Sequence, residues 1–138
     1  MAAIVNSATR ERYHAGMPQR IAIIVPDLMF QPGIRAAAEA LGLEAVIADS
    51  QDAARSAIAT RPAIVAVDLQ GAGIDAIGLI GDAKAAGASI LAFGRHTSPD
   101  TLRSARQAGA DIAIPRSQLV EDLPELLRSL LADQPSDP

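Results

Sequence analysis

Five short apolar runs punctuate the chain: Ile21 to Val25, Glu44 to Ala48, Ala63 to Val67, Ser89 to Phe93 and Asp111 to Ile114. Each is too short for a stable helix. Most lack the alternation of a half-exposed strand, which is the pattern of parallel strands covered on both faces. Between them lie segments of helical spacing, at about Pro32 to Leu41, Asp52 to Thr60, Ile74 to Ala86, Pro99 to Ala108 and Leu123 to Leu131. Their ends carry chemical signals. Ser98, Pro99 and Asp100 combine an N-cap, a first-turn proline and a carboxylate at the positive helix end, and Ser50 or Asp49 can cap the second helix. Gly42, Gly87 and Gly109 stand where the first, third and fourth helices need a left-handed residue to stop. Strict β-α alternation with right-handed crossovers gives a parallel sheet with helices on both faces. The expected fold is therefore an α/β, flavodoxin-like three-layer sandwich with a five-stranded parallel sheet of order 2-1-3-4-5, and its chemistry belongs at the C-terminal edge of the strands.

With 138 residues there is material for one core. The expected division is a leader over 1–19, either disordered or a short helix, a domain over 20–132 and a tail over 133–138. Hydrophobic residues make up 49% of the chain but aromatics only 2%, so Ala, Ile, Leu and Val must build that core. The absence of cysteine removes disulfides, thiolate metal sites and cysteine nucleophiles together. The two histidines, His14 and His96, have no zinc-type spacing. A formal charge of −4 and a single lysine, Lys84, argue against a nucleic-acid surface. No apolar stretch approaches the roughly 20 residues that span a bilayer, and the N-terminus lacks the apolar core of a secretory signal. These features predict a cytoplasmic protein that binds neither nucleic acid nor membrane.

The strand ends deliver Val25-Pro26-Asp27, Asp49-Ser50, Asp68-Leu69-Gln70-Gly71, Gly94-Arg95-His96-Thr97 and Pro115-Arg116-Ser117 to one edge. Two stretches are more specific: Ile64-Val65-Ala66-Val67-Asp68-Leu69, and Ala105-Arg106-Gln107-Ala108-Gly109-Ala110-Asp111. In these, and in its element order, the chain from about Arg20 to Ala132 resembles the receiver domains of bacterial response regulators, the CheY-like family. The first stretch is similar to the strand that ends in that family's phosphoacceptor aspartate. The second is similar to its Ala-Gly-Ala turn before the fifth strand.

The resemblance implies a site here that departs from the family's. The acidic pair that holds Mg²⁺ corresponds to Val25 and Pro26, whose side chains cannot ligate a hard cation, with Asp27 one residue late. The hydroxyl residue of the fourth strand corresponds to Gly94, and the aromatic of the fifth to Ala113. The lysine corresponds to Arg116, which keeps the charge but differs in shape and hydration. The proline after it corresponds to Ser117, so no cis bond is expected there. Asp68 alone is retained unchanged. Phosphoryl transfer relies on positioning and charge neutralisation, so these losses imply a degenerate member, a pseudo-receiver. Such a stand-alone signalling module would not be an enzyme and would act by protein interaction, through another signalling protein or itself. With only the tail after its last helix, output is expected to pass through a partner.

Alternatives stay open at the level of residues. Asp68 can be a phosphoacceptor, an ion-pair partner of Arg116 or a strand-end cap. If it is phosphorylated, Asp27 and Asp68 are the available metal ligands and Mg²⁺ is required; otherwise no cofactor is expected. A small-molecule sensor would use the cleft near Asp68, Gly94 and Arg116. His96 reads as a solvated loop residue or an anion contact, and the triad of Asp27, His96 and Ser117 lacks a nucleophile elbow. Gly71-Ala72-Gly73 offers amides at a helix start, but a dinucleotide fingerprint would follow the first strand. Finally, Leu123, Leu126, Leu127, Leu130 and Leu131 exceed one core stripe, which suggests a homodimer through the fourth and fifth helices rimmed by Arg103, Glu121, Glu125 and Arg128.

Overall fold

The computed structural model describes residues 19–95 and 97–132; the leader up to residue 18, the tail, His14 and His96 lie outside the described residues. Strands β1 (Arg20–Ile24), β2 (Glu44–Ala48), β3 (Ile64–Asp68), β4 (Ser89–Gly94) and β5 (Ile112–Pro115) alternate with α1 (Gln31–Ala40), α2 (Gln51–Ala59), α3 (Ala76–Ala85), α4 (Pro99–Ala108) and α5 (Arg116–Ala132). All pairings are parallel, and the order is β2-β1-β3-β4-β5, the flavodoxin-like order expected from the sequence.

Alternate residues of each strand serve opposite faces. Ile21, Ile23, Ile64, Ala66, Leu91 and Phe93 pack under α1 and α5 with Ile34, Leu119 and Leu127. Ala22, Ile24, Val65, Val67, Ile90 and Ala92 pack with Ala54, Leu79, Ile80 and Ala105 of α2, α3 and α4. Alanine dominates the cluster under α2, α3 and α4, which lets those helices approach the sheet closely, while larger Ile, Leu and Phe93 side chains fill the other.

Helix starts and stops follow local chemistry. Ser50 Oγ accepts the Ala53 N–H at 3.2 Å, and Asp75 Oδ1 accepts that of Gly78 at 3.1 Å. Gly42, Gly87 and Gly109 take φ of +81°, +85° and +127° at the ends of α1, α3 and α4, as expected. Two helix boundaries differ from expectation. The helix placed at Ile74 begins at Ala76, because Asp75 is its cap. The last helix was expected from Leu123 but begins at Arg116, directly after β5, and contains Pro124. Its buried row of Leu119, Leu123, Leu127 and Leu130 outweighs the hydrogen bond that proline removes, and Pro124 lies on the exposed side where water can serve the freed carbonyl.

Ser98 occupies the N-cap of α4 but makes no side-chain capping bond. The two serines therefore differ energetically. Ser50→Ala is expected to lower unfolding stability by about 1 kcal/mol, and Ser98→Ala to stay within about 0.5 kcal/mol, as read from urea denaturation midpoints.

Candidate functional site

Asp68 is the last residue of the central strand and continues the row Ile64, Ala66 toward the face covered by α1 and α5. Its carboxylate is 3% exposed, and both oxygens are engaged. Oδ1 accepts the backbone N–H of Gln70 at 2.9 Å, and Oδ2 accepts a hydrogen bond from Arg116 Nη2 at 2.9 Å. Asp68 is thus at once a strand-end cap and one half of an ion pair.

The register explains how Arg116 gets there. Asp68 lies opposite Phe93, and Gly94 lies opposite Pro115, so the start of α5 is level with the end of β3. Reaching it means crossing β4, two interstrand steps or roughly 9–10 Å, which the long arginine side chain can do. On the way the guanidinium passes over the chain's only two phenylalanines. Its carbon is 4.5 Å from the Phe30 ring centroid and 5.9 Å from that of Phe93, and the rings are 6.1 Å apart and tilted by 35°. Aromatic faces stabilise a partly dehydrated guanidinium, and the Arg116 side chain is 32% exposed. Its buried Nε has no hydrogen-bond partner among the described residues, so the ring contacts and the single charged bond must hold it.

The other expected site residues lie around this pair. Asp27 follows β1, but its Oδ1 accepts the Met29 N–H at 2.8 Å, closing a local turn that leads into α1. Gln31 anchors the same turn, with its buried Nε2 donating to the Val25 carbonyl at 2.7 Å. Gly94 ends β4, and a Cβ built there would sit 2.7 Å from Gln70 Oε1. That amide oxygen accepts the Arg95 N–H at 2.9 Å, so Gln70 fills the space that a Gly94 side chain would need. Ala113 is buried in β5, and no cis peptide bond occurs among the described residues.

A magnesium ion does not fit these residues. Val25 and Pro26 offer no side-chain oxygen, Asp27 is turned to its own backbone, and a guanidinium already neutralises Asp68. No group of three or more acidic or histidine side chains suited to a metal forms among the described residues.

On the face expected to dimerise, Arg103 pairs with Asp100 at 2.7 Å, and Glu121, Glu125 and Arg128 are exposed on α5. The leucine surplus is not there. Leu119, Leu123, Leu127 and Leu130 are buried, and Leu126 and Leu131 pack partly against the same core, because their spacing of three and four residues sets them along one face of the helix. The sequence reading placed Gln70 at this edge without giving it a role, and it missed Phe30 and Phe93 as members of the site. Two phenylalanines in so aromatic-poor a chain were the available signal.

No protein-family profile matches the sequence, and no curated protein matches it. Solved structures do. The receiver domain of NtrX from Brucella abortus superposes with a TM-score of 0.72 at 20% identity, covering 82% of this chain and 98% of that one. A response regulator from Thermotoga maritima gives 0.72 at 14% identity over 85% and 100%. A CheY-like receiver domain protein from Methanospirillum hungatei JF-1 gives 0.71 at 21% over 85% and 96%. This chain therefore has the receiver fold.

A double-mutant cycle measures the ion pair. Asp68→Asn is expected to lose about 1.5–3 kcal/mol, the range for a hydrogen bond to a charged group. Arg116→Gln should lose a comparable amount, and the double variant should lose clearly less than the sum. An Asp68→Asn protein more stable than wild type would contradict a stabilising pair.

Proposed function

We propose that this receiver-fold domain is a pseudo-receiver: a protein-interaction module of a signalling system whose output is not set by aspartyl phosphate, and which is not itself an enzyme. The observation that carries this reading is the engagement of both Asp68 oxygens, one by a backbone amide and the other by Arg116 held over Phe30 and Phe93. Transfer of a phosphoryl group to a carboxylate needs a free oxygen aligned with the phosphorus and cations on the phosphoryl oxygens. Here the local cation is committed to the carboxylate itself. Arg116 does for Asp68 what a metal would otherwise do, neutralising a buried charge that is costly alone.

The competing reading is a slowly phosphorylated receiver in which Asp68 accepts the group with help from Asp27 and Arg116. It is favoured by the position of Asp68 at the end of the central strand and by the partial exposure of Arg116, which lets the guanidinium withdraw. It requires breaking the pair, the ring contacts and the Asp27 turn together. A small-molecule site at Asp68, Gly94 and Arg116 has less support, because Gln70 fills the Gly94 side and Arg116 covers the carboxylate. Among the described residues no helix is long and apolar enough to cross a membrane.

Intact-mass spectrometry after incubation with acetyl phosphate or phosphoramidate and Mg²⁺ tests the proposal. The expected result is no phosphate-sized adduct under conditions that label an ordinary receiver. An adduct on the wild type that is absent from Asp68→Ala would establish the competing reading.

A further inference from the structure

The helices start at the strand-end edge, but they are not secured there in the same way. Helices α2 and α3 carry side-chain caps of their own, Ser50 on the Ala53 N–H and Asp75 on the Gly78 N–H. Helices α1 and α4 do not, since Phe30 and Ser98 at their N-cap positions make no side-chain capping bond. A start without a cap leaves the entry of the helix to be fixed by other groups. For α1 the adjoining Gln31 does this by donating to the Val25 carbonyl at the end of β1. For α4 the glutamine comes from a different loop. Gln70 Oε1 accepts the Arg95 N–H at 2.9 Å, and the Arg95 carbonyl accepts the Ser98 N–H at 3.1 Å. The Ser98 carbonyl in turn accepts the Thr101 and Leu102 N–H groups at 3.1 and 3.3 Å, which opens α4.

Gln70 is itself placed by the carboxylate. The Leu69 N–H donates to the Phe93 carbonyl at 2.8 Å, extending the pairing of β3 with β4 one residue past Asp68, and Asp68 Oδ1 then accepts the Gln70 N–H at 2.9 Å. Gly94 leaves room for the amide, because a Cβ there would lie 2.7 Å from Gln70 Oε1. On the other side of the loop a Cβ on Gly71 would lie 3.0 Å from Pro26 Cδ, so the loop is packed against the end of β1.

We propose that Gln70 is a positioning residue that fastens the start of α4 to the Arg116 and Asp68 ion pair, so that the carboxylate holds α4 in place and loosens it when it releases the loop. The route is a continuous set of hydrogen bonds from Arg116 through Asp68, Gln70, Arg95 and Ser98 to Leu102, which is buried against the sheet. A purely local role for Gln70 would stop at Arg95. The idle side chain of Ser98 is what makes α4 depend on the glutamine. The coupling goes beyond the reading above, since it concerns the chain with no phosphoryl group involved.

Residue-resolved amide exchange of the isotope-labelled full chain is the test, with the Ala53 and Gly78 N–H groups, held by the caps of α2 and α3, as controls for global opening. Gln70→Leu keeps the bulk and removes the acceptor, whereas Gln70→Glu keeps an acceptor oxygen at the same reach. Exchange of Arg95, Thr101 and Leu102 is expected to rise roughly fivefold or more in Gln70→Leu, as for the loss of one hydrogen bond, and to stay near wild type in Gln70→Glu, with the controls unmoved. Gly94→Ala, whose methyl displaces the amide, should reproduce the pattern and add little when combined with Gln70→Leu. Asp68→Ala removes no hydrogen bond of Arg95 or α4, yet should raise the same three amides; Asp68→Leu, closer in volume to the native residue, takes its place if the alanine variant does not fold. Unchanged exchange at Arg95, Thr101 and Leu102 in Gln70→Leu overturns the proposal, as does a rise shared equally by Ala53 and Gly78. A response to Gln70→Leu with none to the Asp68 variant also overturns it, because the ion pair would then not reach α4. No arm uses a phosphoryl donor, so failure here is distinguishable from failure of the pseudo-receiver reading.

Discussion

A parallel sheet has no face to give to water, because its crossover helices land on both sides. Much of this molecule follows from that constraint. The strands must be apolar on both faces, the helices must each show an apolar stripe, and the abundance of alanine sets how closely the layers approach. Once both faces are covered, polar chemistry can emerge only where the strands end. Asp68 is buried because it is the last residue of the central strand, and it is at the edge for the same reason.

A carboxylate so placed needs a cation. At the adjoining end of β1, Val25 and Pro26 offer no side-chain oxygen, and Asp27 caps a turn. The neutralising charge comes instead from the first residue of α5. Arginine suits the task better than lysine would, because it is long enough to cross β4, broad enough to lie over two phenyl rings and less strongly hydrated. Gly94 belongs to the same arrangement, since Gln70 takes the space a side chain would need there and ties the β4 end to the β3 loop. These contacts are thus mutually compatible parts of one packed edge.

The same ion pair has consequences away from the edge. Arg116 begins α5 without an intervening loop, and further along the helix Leu119, Leu123, Leu127 and Leu130 face the sheet while Val120 lies outside. Phe30, which supports the guanidinium, also begins a groove between α1 and α5. Exposed apolar surface therefore gathers beside the carboxylate site, while α4 and α5 present charges.

Read without coordinates, the chain already determined the element order, the parallel sheet, the helix stops at Gly42, Gly87 and Gly109, and the gathering of Asp68, Gly94 and Arg116 at one edge. These are consequences of periodicity and of backbone preferences that act within a few residues. It left open whether Asp68 caps the loop after its strand or pairs with Arg116, and it placed the start of the last helix too late. Only tertiary structure decided those matters. The Arg116 to Asp68 bond joins residues 48 positions apart, and the rings of Phe30 and Phe93 meet the guanidinium from two further segments. Contacts of that kind depend on strand register and helix phase across the whole sheet, and burial of four leucines outweighed the preference of one proline.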